Sequence, residues 1–239
     1  MAPVTRWLYL PGLGTGTRSV KGDAIGQWLS ARGEVLETVD LRQPDFSGMR
    51  LPAMLDAARG ALGGPGDRAI LIGTSLGGYI AARLAAEDPR VAALVLLAPA
   101  LDLADTVDRQ PWGRRVWEAL GWIPWRDKTE GRLRPLGVAL LHDLACAPVP
   151  EAPRAAPVLI VHGLADRRLD VEGSRRWAAT RPGVRLVEVP DGHDLYASLP
   201  VLLAELEHFL APFLRTGRSE GRDQQGSLFA PGVPRSPAP

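Results

Sequence analysis

The sequence predicts a doubly wound α/β domain with a mostly parallel sheet of about six strands, and three observations carry that expectation. Short apolar runs alternate along the chain with segments of helical periodicity, the order expected of βαβ units. Several of the runs are apolar almost throughout, as strands covered by helices on both faces must be. The 239 residues, 46% apolar and 23% charged, suit one domain with a sizeable core.

The first strand is expected over 6–10, in Trp7-Leu8-Tyr9-Leu10, followed by a helix over 22–32 and a strand over 35–40. A helix over 51–62, a strand over 68–73, a helix over 76–87 and a strand over 91–98 continue the alternation. Strands over 157–162 and 185–190 and helices over 172–180 and 196–214 complete it, with right-handed crossovers throughout. Gly63-Gly64-Pro65-Gly66 and Arg181-Pro182-Gly183 mark the turns into two of the strands.

Residues 102–150 interrupt the pattern and hold Trp112, Trp117, Trp122 and Trp125, four of seven tryptophans. A small helical cap over the ligand end of the sheet is expected there. Its indoles either line an acyl pocket or fasten the cap to the body. Arg114, Arg115, Arg126, Arg132 and Arg134 of the same insert suggest affinity for an anionic leaving group. Residues 216–239, rich in Gly, Pro, Arg, Ser and Gln, predict a disordered tail after a domain over 1–215.

The net charge of +1 argues against a nucleic-acid partner. Arginine outnumbers lysine 26 to 2, so arginine is simply the default cation of this chain. One cysteine, Cys146, excludes an internal disulfide and a cysteine metal site, and reads as a small buried hydrophobe. No apolar run reaches membrane-spanning length, and no signal-peptide pattern precedes the first strand. A cytoplasmic protein without a membrane partner is expected.

Gly73-Thr74-Ser75-Leu76-Gly77 follows the apolar run Ala69-Ile70-Leu71-Ile72 and precedes a helical pattern. A strand, a tight turn and a helix with serine at the tip make a nucleophile elbow. A serine hydroxyl then needs a base, an acid to orient that base, and an oxyanion hole. His193, in the loop after strand 185–190, is the expected base. His162 ends a strand and reads as packed and structural; His142 and His208 lie in helices. Asp166, just past strand 157–162, is the expected acid, with Asp170 the alternative. The oxyanion donors expected are the backbone N–H of Leu76 at the helix start and of Leu13 in Pro11-Gly12-Leu13-Gly14, with Gly14 second.

Five segments together resemble the YqiA/YcfP-like branch of the α/β-hydrolases. They are Leu8-Tyr9-Leu10-Pro11-Gly12-Leu13-Gly14, Ser19-x-Lys21-Gly22-Asp23, Gly73-Thr74-Ser75-Leu76-Gly77-Gly78, His162-Gly163-x-x-Asp166 and Gly192-His193-Asp194-Leu195. The resemblance covers about 6–214 and implies an α/β-hydrolase fold. It also implies Ser75 as nucleophile, Asp166 as acid, His193 as base and Leu13 with Leu76 as oxyanion donors. The activity it implies is hydrolysis of a small ester or thioester without a cofactor or metal. Many relatives carry His-Gly where this chain has Pro11-Gly12, a change that touches the donor loop. A non-catalytic binding protein on the same fold is the alternative. In the tail, Gln225-Gly226-Ser227-Leu228-Phe229 resembles peptides that dock on the bacterial sliding clamp, an expectation of a weak peptide interaction.

Overall fold

The computed structural model describes residues 4–103, 111–151, 153, 155–179 and 182–214. The expected tail at 216–239 and its clamp-like peptide lie outside these residues. In chain order the elements are β1 (Thr5–Leu10), α1 (Val20–Ser30), β2 (Leu36–Thr38), α2 (Leu51–Ala61), β3 (Arg68–Thr74), α3 (Leu76–Glu87) and β4 (Val91–Leu97). The insert supplies α4 (Pro111–Leu120), β5 (Trp122–Asp127), β6 (Arg132–Gly137) and α5 (Val138–Ala145). Then come β7 (Val158–Gly163), α6 (Val171–Ala179), β8 (Val184–Val189) and α7 (Leu199–Leu210), closed by a 3₁₀ turn over Ala211–Phe213.

Six strands form one sheet in the order β2-β1-β3-β4-β7-β8, and every pairing is parallel. This is the α/β-hydrolase fold. The period of two along each strand divides the core. Leu8, Leu10, Leu71, Leu94, Leu96 and Ile160 face one side, where α2, α3 and the insert pack. Trp7, Tyr9, Ile70, Ile72, Val95, Leu97, Leu159 and Val161 face the other, under α1 and α7. Both faces are dry, which is why these strands read as continuous apolar runs.

The chain leaves β1 toward β2 at one edge and returns on its far side through β3. That reversal opens a crevice beyond the strands' carboxyl ends, between β1 and β3. Leu10 pairs in register with Gly73, so the loop after β1 and the turn after β3 begin side by side.

The insert is not the purely helical cap expected. Between α4 and α5 runs an antiparallel ribbon, β5 with β6, in which Pro124 stands opposite Pro135. Neither proline could sit inside a helix, because each lacks an N–H and crowds the preceding turn. The Asp127 carboxylate closes the connecting turn by accepting from Thr129 and Glu130 N–H, and Gly131 takes φ +70°. Cys146 is likewise corrected: it follows the last turn of α5 and is exposed, not buried.

Candidate active site

Ser75 sits between β3 and α3 with φ +54° and ψ −119°, a conformation costly for any residue with a side chain. The surrounding backbone holds it there. Ser75 N–H donates to Leu97 O at 3.1 Å, and Ser75 O accepts from Gly78, Tyr79 and Ala100 N–H. The flanking glycines are steric necessities. A methyl group on Gly73 would lie 2.5 Å from Gly77 O, and one on Gly77 would lie 2.1 Å from Leu10 O. Gly78 would meet Pro99 Cβ at 2.8 Å.

Asp166 leaves the end of β7, and His193 lies in the loop after β8. His193 Nδ1 is 2.7 Å from Asp166 Oδ2. A carboxylate only accepts, so Nδ1 carries the proton and Nε2 is left as the acceptor. Asp166 Oδ1 accepts from Arg168 and Leu169 N–H at 2.8 and 3.0 Å. Burial of the carboxylate would raise its pKa, but hydrogen bonds from His162, His193 and Leu169 N–H outweigh it and hold the group well below the usual carboxylate range. Asp170 does not share this place; it accepts from Glu172 N–H at the start of α6.

His162 is the structural residue expected, with an added contact. It is fully buried, its Nδ1 is 2.7 Å from Ser174 Oγ, and its Nε2 is 3.0 Å from Leu169 O. The carbonyl can only accept, so Nε2 carries a proton, which also faces Asp166 Oδ2 at 3.3 Å. His208 bonds the carbonyl of Ala204 on an exposed helix face.

A cavity of about 590 Å³ brings together Ser75, His193, Leu13 and Leu76. Among the described residues, neither Leu13 N–H nor Leu76 N–H has a hydrogen-bond partner. Leu76 opens α3, where the first N–H groups lack intrahelical acceptors. At Gly14 a side chain would strike Trp125 Nε1 at 2.7 Å, and the carbonyl accepts from Lys128 N–H at 2.8 Å.

Of the insert's tryptophans, Trp117 and Trp125 line the cavity. Trp117 is buried and also fastens the insert, donating from Nε1 to Leu136 O at 2.9 Å. Trp122 does not reach the cavity and is 47% exposed. The ribbon alternates, so Ile123, Trp125 and Asp127 turn inward while Trp122, Pro124 and Arg126 turn out. The side chain of Trp112 lies outside those described. Of Arg114, Arg115, Arg126, Arg132 and Arg134, Arg114 alone lines the cavity; Arg132 and Arg134 pair with Glu130.

Sequence reasoning missed what the Ser19-x-Lys21-Gly22 segment does. Ser19 Oγ accepts from Gly22 N–H at 3.0 Å and caps α1. Gly22 allows the helix to approach Tyr9, whose ring would lie 3.0 Å from a methyl there. Tyr9 OH joins Ser19 Oγ at 3.2 Å and Thr74 Oγ1 at 3.3 Å, next to Ser75. Lys21, in the first turn of the helix, lines the cavity. The signal was a capping serine followed by a glycine at N3, which marks a helix start pressed against a neighbour.

Among the described residues, no group of three or more His, Cys, Asp or Glu could hold a metal ion, and no helix is long and apolar enough to cross a membrane.

Comparison with known proteins agrees with this architecture. A family model described as serine aminopeptidase, S33, matches residues 51–135. No curated protein matches the chain significantly. The solved structure of Est1E from Butyrivibrio proteoclasticus with ferulic acid superposes with a TM-score of 0.72 at 19% identity, over 88% of this chain and 89% of that one. Mouse alpha/beta hydrolase domain-containing protein 10 gives 0.69 at 19% identity, over 89% and 91%. An esterase of Pyrococcus furiosus gives 0.59 at 17% identity, over 88% and 82%. The sheet order, the elbow at Ser75 and these likenesses agree: the chain has the α/β-hydrolase fold.

Proposed function

We propose that this protein is a serine hydrolase that cleaves a small carboxylic ester or thioester through an acyl-enzyme. One observation carries the reading: Ser75, on its strained turn, shares a cavity with His193, whose Nδ1 is 2.7 Å from the buried carboxylate of Asp166. Ser75 Oγ attacks the substrate carbonyl as its proton passes to His193 Nε2. Asp166 holds Nδ1–H, fixing the tautomer and stabilising the imidazolium that forms. Leu13 and Leu76 N–H receive the developing oxyanion, and as donors without other partners they need no rearrangement. His193 returns the proton to the leaving alcohol or thiol. Water, activated by the same nitrogen, then releases the acid.

The esterases among the structural neighbours support hydrolase chemistry on this framework. The five matched segments point further, to the small esterases of the YqiA/YcfP-like branch, and the single cysteine suits a cytoplasmic setting. The cavity walls at Leu103, Trp117, Ile123 and Leu141 suit a short apolar acyl chain.

The test is labelling by a fluorophosphonate probe. Wild type is expected to label, and Ser75→Ala and His193→Ala are not. A folded wild type that fails to label and turns over none of a panel of acyl esters and thioesters overturns the reading in favour of a non-catalytic binding protein.

A further inference from the structure

In a chain whose cation is otherwise arginine, both lysines, Lys21 and Lys128, line the cavity of Ser75 and His193. Lys21 is 5% exposed, and its ammonium meets one acceptor, His193 O, at 3.5 Å, the outer limit of a hydrogen bond. Two of its three donors are therefore unspent within a recess. Lys128 and Arg18, both exposed, line the same cavity, and neither forms an ion pair among the described residues. Arg114 and Arg168 complete five cationic residues in the lining, against one carboxylate, that of Asp194. Arg168 already pairs with Asp194, at 3.9 Å.

A buried ammonium with unmet donors beside a like charge is unfavourable. Burial is the chief reason that the Lys21 ammonium is pushed down to about 8; Asp194, Asp166 and Asp191 oppose it, and Lys128 lowers it further. An anion entering the cavity would relieve this strain. A lysine suits a narrow recess, being a compact charge with rotatable donors on a slender stem.

We propose that the substrate carries a carboxylate or similar acid anion on its acyl or alcohol part, held by Lys21 and Lys128 with Arg18, while its apolar stem lies along Trp117 and Ile123. The inference deepens the hydrolase reading and rests on it. It places the cationic determinant on the loop after β1, the start of α1 and the ribbon turn, rather than on the arginines of the insert.

Two matched pairs of chromogenic esters test it. 4-Nitrophenyl hemiglutarate against 4-nitrophenyl pentanoate exchanges a carboxylate for a methyl group on the acyl side. 3-Carboxy-4-nitrophenyl butyrate against 4-nitrophenyl butyrate adds a carboxylate on the alcohol side. The anionic member of at least one pair is expected to have the higher kcat/KM by about tenfold, after correction for leaving-group reactivity. That preference is expected to shrink as salt rises from 50 to 500 mM, as for charges near a cavity mouth. Lys128→Gln and Lys21→Met are expected to cut the ratio at least about threefold through KM. Arg126→Gln, on the outer face of the ribbon, should leave the ratio unchanged. Preference for the neutral member of both pairs, in protein that still labels at Ser75, overturns the anion site and leaves the hydrolase standing. If no ester is turned over, calorimetry on Ser75→Ala with monomethyl glutarate and methyl pentanoate decides. Tighter binding of the acid by about tenfold keeps the anion site, and equal binding removes it.

Discussion

Gly12 and Ser75 approach so closely that a methyl group on Gly12 would lie 3.3 Å from Ser75 Cβ and 3.8 Å from Ser75 Oγ. The loop that carries Leu13 is thus seated against the Ser75 hydroxyl. Gly12→Ala is expected to lower kcat/KM about 100-fold by displacing either partner of the attack, with melting shifted by only a few degrees. Ester kinetics beside thermal melts check this. Gly77→Ala should behave in the opposite sense, because its methyl would sit 2.1 Å from Leu10 O, which is backbone and cannot swing away. That variant is expected to lose about 3 kcal/mol or more of stability, read by urea unfolding.

Asp166→Asn should keep the acceptor that Arg168 and Leu169 N–H use, and so keep the loop. It offers His193 Nδ1 an amide in place of a carboxylate, so the useful tautomer is lost. A fall of about 10⁴-fold in kcat is expected with the far-ultraviolet circular dichroism unchanged. A fall below tenfold would remove Asp166 from the proposed orienting role.

His162→Leu removes donors from Leu169 O and Asp166 and should cost about 1–3 kcal/mol at pH 7. The deficit depends on pH with a definite sign. Asp166 has a depressed pKa in the folded state, so its ionised form adds stability above the unfolded value of 3.8. That contribution fades as pH falls below 3.8. Removing one hydrogen bond to it shrinks the contribution, so the gap between wild type and variant should narrow from pH 7 to pH 3. Urea unfolding at the two pH values measures it.

Lys21 gives a pH dependence of the same sign in an alkaline window. Its ammonium, facing Asp194, Asp166 and Asp191 with Lys128 as a like charge, is lowered by burial from 10.5 to about 8. Between pH 8 and 10.5 the unfolded chain therefore holds more protons on this residue, and folding gains stability as pH rises. Relative to Lys21→Met, wild type is expected to gain up to about 3 kcal/mol across that window. Any preference for anionic esters should weaken above pH 8 as the charge is lost.

Ser75, Asp166 and His193 stand out in the sequence as candidates because their surroundings are local and regular. Ser75 and Asp166 follow mostly apolar strands. Gly73 answers to a clash with Gly77 O four residues on, whereas Gly77 and Gly78 answer to Leu10 and Pro99 across the fold. The central strands are legible because dry faces leave continuous apolar runs, whereas β2 and β8 are partly exposed and mixed in composition. Lys21 was not legible: its helix starts two residues earlier than expected, and only the fold brings it under His193 O. A helical reading of the insert does not separate Trp122 from Trp125, because only strand alternation turns one indole out and the other in. Pro124 and Pro135 carried the warning. Cys146 was placed inside on the habits of cysteine, whereas the end of α5 turns it out.

The ribbon turn is bonded to the loop after β1, Lys128 N–H to Gly14 O at 2.8 Å, and Trp125 lies against Gly14. Roof and donor loop are in effect one mechanical part. An engineer who grafts another insert to admit a different acyl group will also shift Leu13, so selectivity and turnover in this scaffold cannot be tuned as separate dials.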